Sequence, residues 1–364
     1  MSGILQVFHP ALPRAAAVAR YLAELDASRS YTNRGALAER LEARLGALFG
    51  APGAVTTAAS GTAALTAAIL AHAGRATPAR PLALIPAFTF AATAIAAEQC
   101  GYSPHFVDIS AETWVADPAE LARHPRLAEV GLILPVAPFG RAPDMAALER
   151  LQVEAGRPVV LDVAAAFEAY AEGRARVSAK LPAILSLHAT KVFSTGEGGA
   201  VLWADPAAQG RLRQVANFGF RGGRRSEVAG TNAKMSEYHA AVGLAMLDLW
   251  PRRRAEIART LRRYRDGAPL PGRLWLGPEI SSAYALLECR SGAEAAALRA
   301  RLHAARIETR AWYEEGLPAQ PWFGRYGADP LPVTEALAPR LLGLPMAHDL
   351  GPAPVRAALA AVPA

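Results

Sequence analysis

A lysine that follows a predicted strand is the residue in this chain best suited to covalent chemistry with a carbonyl group. The segment SLHATK places Ser186, His188 and Lys191 on and just after that strand, and the only other lysines among the 39 basic residues are Lys180 and Lys234. A Schiff base needs a primary amine that can lose its proton, which arginine cannot supply. We therefore predict that Lys191 is the Schiff-base residue. Lys180 is expected to be a solvated loop residue, and Lys234 either contacts a phosphate or holds its own loop.

A carboxylate ends a second predicted strand, in the apolar run PVVLD that finishes at Asp162. A side chain leaving a buried parallel strand reaches the carboxyl edge of the sheet, where ligands bind in such folds. There Asp162 could pair with a protonated pyridine nitrogen and keep the ring of a cofactor an electron sink. The structural alternative is a helix N-cap.

The segment SGTAAL, from Ser60 to Leu65, places small residues at the start of a predicted helix. Free backbone N–H groups and the helix dipole make such a start an anion site. Gly61 would let the backbone approach the anion, and the hydroxyl of Thr62 adds a donor. The same pattern is also typical of a simple helix cap.

Helical and strand signals alternate from about Gly35 to Leu249, and this alternation predicts a mainly parallel sheet covered by helices on both faces. Leucines with helical spacing mark the first helix, and the strands are continuous apolar runs, as buried parallel strands require. In chain order the predicted elements are the helices RGALAERLEARLGALFG and SGTAALTAAILAHA, the strand LALIP, the helix TFAATAIAAEQCG, the strand HFVDI, a short helix after Pro118, the strand LILPVA, the helix DMAALERLQVEAG, the strands PVVLDVA, AILSLHA and GGAVLWA, and the helix SEYHAAVGLAMLDLW.

The chain changes character at Pro251, where an arginine-rich stretch begins. Beyond it the pattern predicts the strand AYALLEC, the helix AAALRARLHAAR, the strand IETRAWY and a final helix near Val355. We therefore predict a large domain over residues 1–250 and a smaller α+β domain over residues 251–364.

Composition excludes several classes of protein. The net charge of +7 comes almost entirely from arginine, and no basic run alternates with aromatic residues as a single-strand nucleic-acid binder would need. Cys100 and Cys289 do not form a CxxC pair, so a disulfide framework or a structural metal site is not expected. The sequence shows no signal peptide and no apolar segment long enough to cross a bilayer, which predicts a cytoplasmic protein.

With these motifs in view, the chain resembles the DegT/DnrJ/EryC1/StrS sugar aminotransferase family of fold-type I enzymes that use pyridoxal 5'-phosphate (PLP). The resemblance runs from about Gln6 to Pro363 in matching order. Besides SGTAAL and SLHATK, it includes PAFTFAAT, HFVDI with WVADP, PVAPFGRAPDM, TGEGGAVLW, GTNAKMSEYHAAVGL, IETRAWY and LLGLPM.

The resemblance implies a role for each matching residue around PLP. Lys191 would carry the cofactor as a Schiff base, and Asp162 would pair with the pyridine nitrogen. Phe90 would stack on the ring face, although core packing is the alternative that the residue type alone favours. The phosphate would be held by Gly61, Thr62 and Ser186.

Residues further from the ring are assigned in the same way. Asn232 resembles the residue that reaches the phosphate in the partner subunit, which implies a homodimer with shared active sites. Arg221, with Arg224 and Arg225, could meet the diphosphate of a sugar nucleotide, and a solvated loop is the alternative. Trp312 and Tyr313 lie where the family's smaller domain approaches substrate, with core packing as the alternative. His188 is expected to be a hydrogen-bonded imidazole near the site.

One position departs from the family pattern. The family usually places Gln or His three residues after the aspartate, whereas the run DVAAAF puts Ala165 there. Ala165 cannot hydrogen-bond, which affects the tuning of the cofactor or the placement of substrate. The segments HATKVF and GTNAKMSE, together with Phe167, are closest to the branch that aminates carbon four of a nucleotide-linked 4-keto-6-deoxyhexose.

The implied reaction has two halves that share one pocket. An amino acid, expected to be glutamate, leaves its nitrogen on the cofactor, and the keto sugar then takes it up, with Lys191 moving the proton. The alternatives are a 3-keto sugar aminotransferase, a PLP sugar dehydratase, which carries histidine at the lysine position, and a regulator of the same fold without turnover. No GxGxxG follows a strand, which argues against a nicotinamide-dependent dehydrogenase.

Overall fold

A computed structural model describes residues 4–267 and 272–351, together with residues 353 and 360. The helices are α1 Ala15–Ser28, α2 Ala36–Leu48, α3 Gly61–His72, α4 Ala91–Gln99, α5 Pro118–Ala122, α6 Met145–Ala155, α7 Phe167–Ala171, α8 Pro206–Ala216, α9 Glu237–Arg265, α10 Gly292–Ala304 and α11 Pro332–Leu337. The strands are β1 Val55–Ala58, β2 Leu82–Pro86, β3 Ser103–Val107, β4 Val130–Ile133, β5 Leu161–Asp162, β6 Ala183–Ser186, β7 Gly199–Leu202, β8 Arg273–Trp275, β9 Ala285–Glu288, β10 Arg310–Ala311, β11 Gly327–Ala328 and β12 Leu341–Leu344.

The large sheet confirms the predicted mainly parallel α/β fold. Hydrogen bonding gives the orders β11-β3-β2-β4 and β5-β6-β7-β1, and parallel bridges from Ile133 to Val159 and from Val136 to Asp162 join the two groups. Strand β7 runs antiparallel to both β6 and β1, while the other described pairs in this sheet are parallel.

Both faces of this sheet are buried, which explains why its strands are continuous apolar runs. In β2, Leu82 and Leu84 enter one hydrophobic core while Ala83 and Ile85 enter the core on the other face. The period-two alternation of a strand therefore supplies two cores at once. Helices α1, α2 and α9 pack together on one side, and α3, α4 and α8 pack on the other.

Each predicted helix and strand between residues 35 and 249 has a counterpart in the structure, although several strands are shorter. The structure also contains elements that were not predicted, namely the helices α1, α7, α8 and α11 and the strands β1, β8, β11 and β12. For α8 a start signal is present, because Asp205 accepts a hydrogen bond from the N–H of Ala207 at 2.9 Å and Pro206 occupies the first turn. The helix predicted near Val355 lies outside the described residues.

Helix α9 crosses the predicted domain boundary without a break, with Pro251 inside it. Its residues up to Trp250 belong to a core of the large sheet, whereas Ile257, Leu261 and Tyr264 belong to a separate core. Burial on both sides of Pro251 outweighs the backbone hydrogen bond that proline removes. The division at residue 250 stays a prediction, and this helix connects the two parts.

The C-terminal part builds a small antiparallel sheet in the order β10-β12-β9-β8. Two segments cross the predicted division. The N-terminal residues Leu5 and Phe8 bridge to Ile307 and Met346 beside the small sheet, while β11 pairs in parallel with β3 of the large sheet.

Two further structural facts bear on the class of protein. Cys100 and Cys289 are both buried free cysteines. Within the described ranges, no helix combines the length and the apolar character needed to span a bilayer.

Candidate active site

A cavity of about 300 Å³ lies at the carboxyl edge of the large sheet and extends to the small sheet. It brings together most of the residues that the sequence predicts for the site. The predicted residues that line it are Gly61, Thr62, Phe90, Asp162, Ser186, His188, Lys191, Trp312 and Tyr313. A volume of this size is typical of small-molecule sites.

The carboxylate of Asp162 is buried at the end of β5 and faces this cavity. Its Oδ2 accepts a hydrogen bond from Thr93 Oγ1 at 2.7 Å, and its Oδ1 accepts from the N–H of Ala164 at 3.0 Å. The hydroxyl of Thr89 lies 2.8 Å from that of Thr93 and extends the network. Burial raises the pKa of Asp162, while these hydrogen bonds and the charge of Lys191 oppose the shift.

The start of α3 and the end of β6 form a narrow cradle. A Cβ on Gly61 would lie 3.0 Å from the Cβ of Ser186, so the helix start can approach β6 this closely only with glycine. Ser60 caps the helix by accepting from the N–H of Ala63 at 3.1 Å. The first N–H groups of α3 and the hydroxyls of Thr62 and Ser186 border the same cavity, an arrangement suited to a phosphate.

Lys191 and Phe90 lie on the walls of the cavity. The Nζ atom of Lys191 donates a hydrogen bond to the hydroxyl of Tyr284 at 3.3 Å. Phe90 is 66% exposed in the single chain, so the alternative that its side chain packs in the core is wrong. An exposed ring that lines a cavity is available to stack on a bound ring.

His188 is a hydrogen-bonded imidazole beside the cavity. Its Nδ1 accepts from the N–H of Thr190 at 3.3 Å and lies 2.9 Å from the Thr190 hydroxyl, and its Nε2 lies 3.7 Å from Glu197 Oε1. Ala165 also lines the cavity, so the missing polar side chain leaves space at the site itself.

Arg221 and Asn232 are placed elsewhere. Both are exposed, and neither is among the described residues that line the cavity. The Oδ1 atom of Asn232 accepts a hydrogen bond from Lys234 Nζ at 2.7 Å, and this ammonium lies 4.3 Å from the ring centre of Phe218. Lys234 therefore holds its own loop in this chain, one of the two alternatives predicted for it, and Lys180 is exposed as predicted.

Sequence reasoning missed an aromatic wall on the small-sheet side of the cavity. Phe8, Phe139 and Tyr284 line it together with Trp312 and Tyr313, and Arg310 is a charged member of the same wall. Phe139 and Tyr313 adopt left-handed backbone conformations, with φ of 54° and 60°. Such strain in bulky residues is concentrated at functional sites, but a single sequence gives no signal for it.

A cluster of His105, His124 and Asp329 has a composition that could bind a metal. The Nδ1 atom of His105 accepts from the Arg126 guanidinium at 3.3 Å, and that of His124 accepts from the Arg126 N–H at 3.2 Å. Both Nε2 atoms therefore carry hydrogen and donate to Asp329, at 2.9 and 3.0 Å. These hydrogen bonds link β3, the α5–β4 connection and the segment after β11.

The cavity fits PLP on chemical grounds. The cradle of the α3 start and Ser186 suits its phosphate, and the exposed ring of Phe90 suits its aromatic face. The buried carboxylate of Asp162 lacks a full counter-charge and suits a protonated ring nitrogen, and the amine of Lys191 suits its aldehyde.

Comparison with known proteins agrees with this chemistry. A family model described as the DegT/DnrJ/EryC1/StrS aminotransferase family matches residues 14–362. Protein Rv3402c of Mycobacterium tuberculosis is 34% identical over 97% of this chain and 88% of that protein. The dTDP-3-amino-3,4,6-trideoxy-alpha-D-glucose transaminase of Streptomyces venezuelae is 31% identical over 73% of this chain and 72% of that protein. The dTDP-4-amino-4,6-dideoxy-D-glucose transaminase of Shigella dysenteriae is 30% identical over 66% and 64%.

Solved structures match over nearly the whole chain. A protein of Bacillus cereus ATCC 10987 assigned to the PLP-dependent aminotransferases aligns with a TM-score of 0.89 and 28% identity, covering 98% of this chain and 99% of that chain. DesI, crystallised in the presence of its TDP-sugar product, aligns with a TM-score of 0.85 and 31% identity, covering 99% and 93%.

Replacing Asp162 by asparagine should stabilise the cofactor-free protein at neutral pH. Because the folded-state pKa of this carboxyl lies above its unfolded-state value, ionisation makes the fold less stable as pH rises from about 4. Asp162→Asn removes that cost, and the melting temperature should rise by about 2–4 °C for each kcal/mol recovered. Thermal melts of both cofactor-free proteins between pH 4 and 8 measure the difference.

The same variant should bind PLP weaker by roughly two orders of magnitude, because one partner of a buried charge pair is missing. Asp205→Asn is the matched control, since Asp205 is an N-cap residue and asparagine caps equally well. A cofactor-free Asp162→Asn protein that melts lower than wild type at pH 7, or binds PLP as tightly, contradicts the assignment.

Proposed function

The chain belongs to the DegT/DnrJ/EryC1/StrS aminotransferase family, and from this we propose that it moves an amino group from an amino acid to a nucleotide-linked 4-keto-6-deoxy sugar. The chain is a PLP-dependent enzyme, as its structural relatives are. The observation that carries the proposal is the placement of one amine, Lys191, and one buried carboxylate, Asp162, on the walls of a single cavity.

Different residues of the cavity would bind different parts of PLP. The N–H groups of Gly61 and Thr62, with the hydroxyl of Ser186, would hold its phosphate, and Phe90 would cover one face of its ring. Asp162 would hold the proton on the ring nitrogen. Bound PLP supplies a ring that stabilises negative charge at the carbon next to the transferred nitrogen.

Lys191 and Arg310 then act on the substrates. The amine of Lys191 is the covalent attachment point and, when free, the base placed to move a proton at the substrate carbon. Arg310 contributes a guanidinium to the cavity wall, with its central carbon 5.6 Å from the Trp312 ring centre, and would bind a substrate anion. The net charge of +7 helps to attract an anionic sugar nucleotide.

The position of the ketone depends on finer features. The segments HATKVF and GTNAKMSE, together with Phe167, favour carbon four. The aromatic wall suits a ring that lacks a hydroxyl at carbon six, whichever carbon carries the ketone. Phe167 itself is buried and stacks on Phe193 at 4.3 Å, so it would act only through packing. The relatives do not decide the position of the ketone, because the 3-amino and 4-amino sugar transaminases are almost equally similar to this chain, at 31% and 30% identity.

The alternatives differ in what they need from the site. A 3-keto sugar aminotransferase would use the same residues, and the space beside Ala165 could admit a differently placed sugar. Lys191 argues against a sugar dehydratase. Ala165 is the one feature of the sequence that favours a regulator without turnover, and Lys191, Asp162 and Ser186 argue against it. Glutamate as the donor and the cytoplasm as the location stay predictions.

The purified enzyme, supplied with PLP and glutamate, should aminate a 4-keto-6-deoxyhexose linked to a nucleoside diphosphate. The matched 3-keto sugar nucleotide is offered in parallel, and NMR locates the new amine. Amination at carbon four alone is the expected result. Amination at carbon three alone would contradict the position but not the transaminase, and amination of neither sugar would favour the regulator.

We also propose that the active unit is a homodimer in which Asn232 serves the partner's cavity. In support, Asn232 is exposed and lies apart from its own chain's cavity, and Phe90 leaves an exposed aromatic surface at the cavity. A residue of this kind would complete a site only across an isologous interface.

Mixing two impaired variants should restore activity if the sites are shared. Lys191→Ala removes the amine and Asn232→Ala removes the partner's contact, so each homodimer loses both sites. In an equal mixture half of the dimers are mixed and each has one intact site of two, which predicts recovery of about a quarter of wild-type activity. Mass spectrometry verifies subunit exchange, and exchange without recovery would argue that Asn232 serves its own chain.

A further inference from the structure

Lys191 has a hydrogen-bond partner that no sequence motif indicates. Its Nζ atom donates to the hydroxyl of Tyr284 at 3.3 Å. Tyr284 directly precedes β9 and therefore comes from the small-sheet side, whereas Lys191 follows β6 of the large sheet. Among the described residues that line the cavity, Lys191 alone carries an amine, and this amine is thus in contact with a residue from the opposite wall.

The ring of Tyr284 is held on several sides. It is buried, and it makes edge-to-face contacts with Trp312 at 5.3 Å and Phe139 at 5.5 Å between ring centres. Phe8 makes a third such contact at 6.3 Å. These contacts leave the hydroxyl little freedom, so its position is fixed by packing before any ligand enters.

The loop that carries Tyr284 is anchored to the large sheet by a buried carboxyl group. Glu168, in α7, accepts a hydrogen bond from the N–H of Ser282 at 2.6 Å and from the hydroxyl of Ser281 at 3.4 Å. The N–H of Ser281 also donates to the Phe139 carbonyl at 2.7 Å. Since α7 begins five residues after Asp162, the same segment sets the position of the carboxylate and of the tyrosine.

We propose that Tyr284 is a positioning residue that holds the amine of Lys191 whenever that amine is free. A phenolic hydroxyl accepts a hydrogen bond from an ammonium group and donates one to a neutral amine, so it can serve the lysine before and after a proton is moved. Holding the amine restricts a flexible side chain to the geometry that proton transfer requires. The expected effect on proton transfer rests on the proposed aminotransferase function, whereas the hydrogen bond between Lys191 and Tyr284 does not depend on it.

The contact can be tested in the cofactor-free protein. Because the chain has only three lysines, selective ¹³Cε labelling gives separate signals for Lys180, Lys191 and Lys234. Tyr284→Phe should shift the Lys191 signal and narrow it as the side chain becomes mobile, while the other two signals stay in place. Tyr170→Phe makes the same change at another buried tyrosine, whose hydroxyl contacts Met145 Sδ at 3.9 Å, and should leave all three unchanged.

The consequence is tested by the half-reaction with glutamate alone, followed by absorbance in a stopped-flow instrument. Tyr284→Phe should slow the first-order step by roughly 10-fold to 100-fold, within the range of general acid–base contributions. The KM for the sugar nucleotide should change by less than about twofold, since the hydroxyl acts through Lys191 and not through the sugar. A half-reaction at the wild-type rate together with an unchanged Lys191 signal overturns the proposal.

The lysine signals also decide two other cases, a wild-type protein without a half-reaction and a Tyr284→Phe variant that does not fold. If wild type shows no half-reaction with any amino acid, the proposed function fails, while the lysine signals still decide whether Tyr284 holds the amine. If Tyr284→Phe does not fold, Glu168→Ala removes the acceptor of both hydrogen bonds from the same loop and keeps the side chains of Tyr284 and Lys191. That variant should shift the Lys191 signal in the same direction by a smaller amount, and no shift in it would overturn the proposal.

Discussion

The buried carboxylate of Asp162 sets the requirements that the rest of the site meets. A charge taken out of water is costly unless hydrogen bonds and an opposite charge compensate it. Thr93 and the N–H of Ala164 supply two hydrogen bonds, and Lys191 supplies a positive charge, yet burial still raises the pKa of the group. A protonated ring nitrogen would supply the opposite charge that the carboxylate still lacks, so binding of the cofactor would stabilise the folded protein.

The sheet determines which groups reach that carboxylate. Strands β5 and β6 are parallel neighbours, with Asp162 opposite Ile184, so the residues that follow β6 come to the same edge. The start of α3 can lie at this edge because residue 199 is glycine. A Cβ at that position would lie 2.4 Å from the Ser60 carbonyl oxygen and would push the helix start away. The small sheet and the N-terminal segment then close the cavity with aromatic side chains.

Much of this arrangement could be predicted from local patterns. Continuous apolar runs between helices indicate a parallel sheet, and the scarcity of lysine singles out Lys191. Three features could not be predicted, because each brings together segments roughly 90 to 220 residues apart. They are the hydrogen bond from Lys191 to Tyr284, the presence of Arg310 in the cavity beside residues of the large sheet, and the pairing of β11 with β3. The continuity of α9 through Pro251 was missed for a related reason, since burial in two separate cores outweighs the local effect of proline.

The central claim is that Lys191 is the residue that holds PLP. The most direct measurement is reduction of the PLP-loaded enzyme with borohydride, followed by peptide mass spectrometry to locate the reduced phosphopyridoxyl group. The account predicts one labelled residue, Lys191, and no stable label in Lys191→Ala. A label on Lys180 or Lys234, or one that persists in Lys191→Ala, would contradict it.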